Sequence, residues 1–279
     1  MTALHRPRGL AEALELRAAH PSFMVMAGCT DLMVNANHRA APEGILDLWR
    51  CPGLGGITVD AAGAHIGAGT TWLEVQREPA LAAWSPLVAA AREIGALQIQ
   101  ARATLGGNVG TSSPVGDSLP ALLALEAELE LASVRGHRRV PYREFCTGYR
   151  KTALAADELI VAAHLPPLAP GAKKVWKKVG TRRAQSISKV MGAAVISLDG
   201  GVVTSARVAL GAIADRPIRI DEAERAVRGL SPAKAAEAAR AAVHATVKPI
   251  DDVRSTAAYR LEVAENLVAR FFTDVMSYS

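Results

Sequence analysis

The residues best suited to chemistry lie in two glycine-bearing stretches. The first, Ala27-Gly28-Cys29-Thr30-Asp31, follows a compact apolar run at 23–27 and precedes a helix-like run at 32–37. Gly28 can bring bare backbone close to a ligand, and Thr30 or Asp31 can cap a helix whose N–H groups face that ligand. The second, Thr104-Leu105-Gly106-Gly107-Asn108, reads as a polar loop running to Pro120 and is followed by Ser112, Ser113 and Asp117. Adjacent glycines allow close approach to phosphate oxygens. Hydroxyls donate to those oxygens, and a carboxylate such as Asp117 accepts from sugar hydroxyls. Either stretch alone is equally a tight turn; together they suit a ligand long enough to span both, such as a dinucleotide.

Other chemistries lack their residues. The sequence has no GxxxxGK(S/T) phosphate loop, no GxGxxG after a strand, no HExxH and no GxSxG elbow. Gly67-Ala68-Gly69 lacks the third glycine of a dinucleotide fingerprint and is a poor match. The three cysteines, Cys29, Cys51 and Cys146, form no CxxC pair, so neither a structural zinc site nor an all-cysteine iron–sulfur cluster is expected. The seven histidines are scattered without metal-ligand spacing, and no metal site is expected on this chain.

Elements of ordinary length must position these stretches. Helical spacing marks residues 9–20, and short apolar runs at 23–27, 45–48 and 57–59 read as strands. Residues 72–76 and 79–94 are alanine-rich and helical in pattern, as are 119–125, while 128–133 alternates like a half-exposed strand. Residues 166–172, PPLAPGA, read as a linker. Beyond it, apolar runs at 190–198 and 202–210 flank Asp199-Gly200-Gly201, a hairpin signal, and three helices near 222–228, 232–245 and 255–272 close the chain. Strands followed by helices predict an α+β second domain.

Composition agrees. With 279 residues, 50% apolar and 21% charged, the chain can bury a substantial core in two domains or lobes, which excludes disorder, collagen and coiled coil. Aromatics make up only 4%, against a single-strand nucleic-acid binder, which stacks bases on aromatic rings. The net charge of +5 is scattered, with small clusters at 135–139, 173–178 and 182–183. These read as solvated loops, or as a face for a phosphate-bearing molecule or an acidic partner. Three unpaired cysteines, no apolar leader and no 18-residue apolar run predict a cytoplasmic protein without a membrane span.

Four motifs, MAGCTDLM, TLGGNVGTSSPVGDSLPALLAL, GYRKTALAADELIVAAHLP and KKVGTRRAQSISKV, together resemble the FAD-binding medium subunit of molybdenum hydroxylases. That family includes xanthine dehydrogenase and carbon monoxide dehydrogenase. DDVRSTAAYRLEVAENLVARFF is similar to the family's closing helix. The resemblance implies an α+β fold. A two-lobed FAD-binding region of PCMH type would occupy 1–168, with lobes of about 1–56 and 57–168. A smaller α+β domain of the CO dehydrogenase flavoprotein type would occupy 173–279.

The resemblance also implies roles. Val25, Met26, Ala27, Gly28, Cys29, Thr30, Asp31 and Leu32 would wrap the FAD pyrophosphate through backbone N–H groups. Thr104, Leu105, Gly106, Gly107 and Asn108 would clamp its other side, with Ser112 nearby and Asp117 on sugar or ribityl hydroxyls. Ile94 and Ile160 would pack near the flavin, and Lys177 would be a basic residue at the cofactor. Tyr149 and Arg150 would lie at the flavin face as catalytic residues, in the manner of the xanthine dehydrogenase branch. The chain departs from the family at Cys29, where glycine is usual, so the backbone there must tolerate a Cβ.

As a whole, the resemblance implies an oxidoreductase subunit passing electrons from a small [2Fe–2S] subunit through FAD to NAD or another acceptor. A large molybdopterin subunit would perform the hydroxylation, in a complex with two copies of each chain. Two other readings compete. One is a self-contained FAD oxidase of the vanillyl-alcohol type. The other is a non-catalytic module for an anionic partner, driven by the basic charge.

Overall fold

The apolar run after the first helix forms a strand, Met24–Met26, that pairs in parallel with Gly44–Asp47, which in turn pairs in parallel with Ala3–His5. Parallel neighbours need crossovers. The helix Leu10–Ala19 supplies one, and the 3-10 helix Leu32–His38 lies in the other. The computed structural model describes residues 2–38 and 40–278.

Five strands build a second, antiparallel sheet in the order Ile57–Asp60, Gly63–Gly67, Leu159–Leu165, Glu128–Ser133, Gly136–Pro141. Leu159–Leu165 is central and buried at nearly every position, as its apolar sequence requires. On one face Ile66, Leu129, Leu131 and Ala163 share a core with Trp72, Leu87, Leu105 and Leu122, which project from helices. On the other, Ala132, Leu159 and Val161 meet Ala13 and Leu14 of the first helix and Leu46 of the parallel sheet.

Two expectations about this region are corrected. Residues 79–94 are not one helix: a 3-10 helix, Pro79–Trp84, gives way to an α-helix, Ser85–Glu93. Pro86 fits a helix only in its first turn, so the helix restarts just before it. Residues 104–120 are not a loop throughout. Leu105–Thr111 is helical despite three glycines, because Thr104 caps it by accepting from the Gly107 N–H at 3.1 Å, and Ser112 ends it with a left-handed φ of 46°.

The C-terminal part is an antiparallel sheet of Lys173–Val179, Val190–Asp199, Val202–Gly211 and Ile218–Arg219, followed by the helices Asp221–Ala226, Pro232–Thr246 and Ala257–Thr273. Alternation divides its long strands between two cores. Val190, Ala194, Ile196, Val208 and Leu210 pack with residues of its own helices, while Trp176, Ala193, Val195 and Ala209 join the core of the five-stranded sheet. The hairpin forms at Asp199-Gly200-Gly201, where φ values of 53° and 80° use both glycines. The result is the α+β class expected. Among the described residues no helix is long and apolar enough to cross a membrane.

Candidate functional site

A cleft of about 1630 Å³ opens where the three-stranded parallel sheet, the five-stranded sheet with its helices, and the C-terminal part meet. That exceeds the roughly 300–1,000 Å³ typical of a drug-sized ligand site and has room for a dinucleotide. Its wall contains Val25, Ala27, Gly28, Cys29, Thr30, Asp31 and Leu32 from the first stretch, and Thr104, Gly106, Gly107 and Asn108 from the second. Ile94, Ile160, Tyr149 and Arg150 line it as well. The two stretches, far apart in sequence, therefore share one cavity.

They also touch each other. A Cβ on residue 28 would overlap the Arg102 carbonyl, so Gly28 is required by packing against the segment leading into Thr104. Cys29 sits in the left-handed region at φ 65°, a conformation that favours glycine. Among the described residues, the N–H groups of Gly28, Cys29, Thr30, Asp31 and Leu32 find no backbone or side-chain acceptor on the chain. A run of free N–H groups around a left-handed residue makes an anion-binding concavity.

The second stretch behaves differently. Leu105 N–H donates to the Thr70 carbonyl at 2.9 Å, Gly106 to Ala68 at 2.8 Å, Gly107 to Thr104 Oγ1 and Asn108 to the Thr104 carbonyl. Asn108 Oδ1 accepts from Ser118 Oγ at 2.6 Å. This stretch therefore forms a wall whose donors are engaged within the protein. Gly107 leaves its surface open, because a Cβ there would meet only Thr104 Oγ1.

Five of the expected residues stand off the cleft wall. Met26 pairs in register with Asp47, and alternation along its strand sends Val25, not Met26, to the cavity. Leu105 is fully buried in the core, and Ser112 is buried with its Oγ 3.1 Å from Cys146 Sγ. Asp117 is buried between Lys178 Nζ and Ser188 Oγ, each at 2.7 Å, and Trp176 Nε1 donates to its carbonyl at 3.0 Å. Burial pushes the Asp117 carboxyl up, and Lys178 opposes that shift. Lys177 points outward, since alternation turns Trp176 and Lys178 toward the first domain.

Sequence reasoning missed other wall residues. Ala68 and Gly69, set aside as a failed fingerprint, line the cavity where Gly69 N–H donates to the Leu54 carbonyl at 2.6 Å. Ala212, Ile213, Arg254 and Arg260 reach it from the C-terminal part, and no local spacing marks them. Arg17 also faces it. Its Nη1 donates to the Phe23 carbonyl at 3.0 Å, but its buried Nε has no partner among the described residues. Burial lowers the Arg17 pKa, and an anion beside it would offset that cost. The free N–H run, this unsatisfied guanidinium and the apolar walls at Ile94 and Ile160 fit an FAD.

Among the described residues, histidines scattered in the sequence join a carboxylate in one three-ligand set, away from the cleft. Neighbouring strands bring His65, Glu130 and His164 together, with one ligand-type atom from each within 4.8 Å of the others. The pairing is long-range and has no local sequence signature.

Residues 1–168 match the FAD binding domain in molybdopterin dehydrogenase, and residues 176–275 match the CO dehydrogenase flavoprotein C-terminal domain. The chain is 32% identical over 278 residues to a putative xanthine dehydrogenase FAD-binding subunit, XdhB, of Escherichia coli K12, covering 98% of this chain and 95% of that protein. It is 29% identical to the nicotinate dehydrogenase FAD-subunit of Eubacterium barkeri, covering 97% and 94%. A chain of reconstituted CO dehydrogenase from Oligotropha carboxidovorans superposes with a TM-score of 0.94 at 28% identity, covering 100% and 99%.

Proposed function

The chain belongs to the FAD-binding medium subunits of the molybdenum hydroxylases, the family of xanthine and CO dehydrogenases, and from that premise we propose how its cleft works. The unpartnered N–H groups of Gly28, Cys29, Thr30, Asp31 and Leu32 receive the FAD pyrophosphate, and this run of free donors is the observation that carries the reading. The Arg17 guanidinium adds a charge-assisted contact. Gly107 lets the cofactor lie against the second stretch, and Ile94 and Ile160 exclude water from its apolar part.

When bound, the flavin supplies the redox chemistry, between a [2Fe–2S] partner subunit as donor and NAD as acceptor. Tyr149 and Arg150 serve the acceptor side. Tyr149 is 62% exposed, and Arg150 offers a guanidinium suited to an anionic acceptor such as a dinucleotide pyrophosphate. Substrate hydroxylation belongs to a large molybdopterin subunit, in a complex with two copies of each chain.

Purification with its partners tests the reading. The chain should carry one non-covalent FAD per copy, released intact by acid or heat, and NADH added without oxygen should bleach it. A colourless chain that takes up no FAD defeats the cofactor assignment. A flavin reduced by dithionite but not by NADH defeats NAD as acceptor and favours oxygen or a quinone.

A further inference from the structure

We propose that His65, His164 and Glu130 form a binding site for one divalent transition-metal ion of the zinc class, on the five-stranded sheet and separate from the flavin cleft. His65 and His164 are directly opposed across the antiparallel pair Gly63–Gly67 and Leu159–Leu165. Opposed residues project from the same face with Cβ atoms about 4.5–5.5 Å apart. Their rings accordingly lie edge to face with centroids 4.8 Å apart. Glu130 approaches from the strand on the other side of His164 and places Oε2 2.7 Å from His164 Nε2.

The three ligand-type atoms lie within 4.8 Å of one another. Metal–nitrogen and metal–oxygen bonds of about 2.0–2.2 Å at a tetrahedral angle set ligand atoms roughly 3.3–3.5 Å apart, so the His164–Glu130 pair opens from 2.7 Å while the wider separations close, by small side-chain rotations on a fixed backbone. Imidazole and carboxylate donors suit zinc, cobalt, nickel and copper rather than calcium or magnesium.

The surroundings support a site over an ordinary histidine–carboxylate contact. Glu130 Oε1 is held at 2.7 Å by His137 Nδ1 from the next strand, an outer hydrogen bond of the kind that orients a ligating carboxylate. Both His164 and Glu130 are about one-fifth exposed, enough to admit an ion and to leave a position for water or a partner's side chain. By contrast, His244, which also pairs with a carboxylate at 2.7 Å, shares Glu265 with Arg240 and belongs to no such three-ligand set among the described residues.

His164 lies four positions along its strand from Ile160, which lines the cleft, or roughly 13 Å at strand rise. A metal there clips three adjacent strands together, and the proposal does not depend on flavin binding.

Titration of the chelator-stripped, flavin-loaded chain tests this, with Co2+ as the absorbing probe and Zn2+ as competitor. One Co2+ per chain should bind saturably, be displaced by Zn2+, and raise the melting temperature. His65→Asn, His164→Asn and the near-isosteric Glu130→Gln should each weaken binding at least about tenfold, and His137→Asn by roughly tenfold. His244→Asn should change nothing. Absence of saturable uptake overturns the proposal. So does uptake that survives in both His65→Asn and Glu130→Gln.

Discussion

Asp31 and Arg150 meet at the cleft wall, with Nη1 to Oδ2 at 3.4 Å and Nη2 to Oδ1 at 3.5 Å. One belongs to the first glycine-bearing stretch and the other to the turn between the strands Cys146–Gly148 and Lys151–Thr152, where Arg150 takes a left-handed φ of 51°. Both side chains are about two-fifths exposed. A long, solvated pair of this kind is worth under about 1 kcal/mol, so it can open when a ligand competes for either group. The contact joins the first glycine-bearing stretch to the Tyr149–Arg150 turn across the cleft wall.

On the proposed reading, Arg150→Ala should leave FAD retention within about threefold of wild type, because the exposed pair contributes little. Anaerobic bleaching by NADH should slow by about tenfold or more, the value of one lost charge-assisted hydrogen bond. Arg150→Lys should recover part of the rate. Stopped-flow absorbance and equilibrium dialysis separate the two effects. Equal losses in both, or none in either, would make the residue purely structural.

Cys29 offers a test of the first stretch. Its left-handed backbone costs a non-glycine residue about 1–2 kcal/mol, partly offset by the greater unfolded-state entropy of glycine. Cys29→Gly should therefore raise stability by up to about 1 kcal/mol and bind FAD at least as tightly. Cys29→Val, β-branched at the same φ, should lower both the melting temperature and the flavin content. Calorimetry and the flavin-to-protein absorbance ratio decide it. A Val variant with full flavin content would count against this turn as the phosphate cradle.

What was legible in the sequence was local. Gly28 with Thr30 and Asp31 after an apolar run, and Asp199-Gly200-Gly201 between two β-branched runs, declare themselves within a few residues. The helix Leu105–Thr111 was hidden because Gly106, Gly107 and Gly110 weigh against helix, while one Thr104 cap and packing on Ala68 and Thr70 decide for it. Lys177 and Lys178 are indistinguishable as sequence; strand phase alone turns the second inward to Asp117. His65 and His164 meet only through strand order, which no local pattern encodes.

Acid stability should depend on Glu158. Its carboxylate accepts from Arg138 Nε at 2.6 Å and Nη2 at 2.8 Å, and from the Ala155 N–H at 2.8 Å. The Arg138 hydrogen bonds hold its pKa below the ordinary glutamate value. A depressed carboxyl pKa gives stability that is present above the unfolded pKa and lost as pH falls through the folded one. Glu158→Gln should accordingly be less stable than wild type at neutral pH, and the two should converge as pH drops below the ordinary glutamate range. Urea midpoints measured against pH test this. A constant offset at every pH would assign the effect to packing instead.

Asp117 is where the family resemblance and the structure assign different roles, and one set of variants separates them. As a flavin ligand, Asp117 would lose cofactor on substitution while the fold stayed firm. In the structure it is the buried counter-ion of Lys178, whose side chain is 6% exposed and whose one other acceptor among the described residues is the Glu93 carbonyl at 3.2 Å. Removing one partner of a buried pair strands the other charge, so Asp117→Ala should cost about 3–5 kcal/mol. Replacing both groups with apolar residues, Asp117→Leu with Lys178→Met, should recover most of that loss, because neither desolvated charge remains. Chemical denaturation and flavin content, read on the same samples, give the decision. An Asp117→Ala protein with wild-type stability and no FAD would restore the ligand role; a destabilised single variant rescued by the double establishes the ion pair.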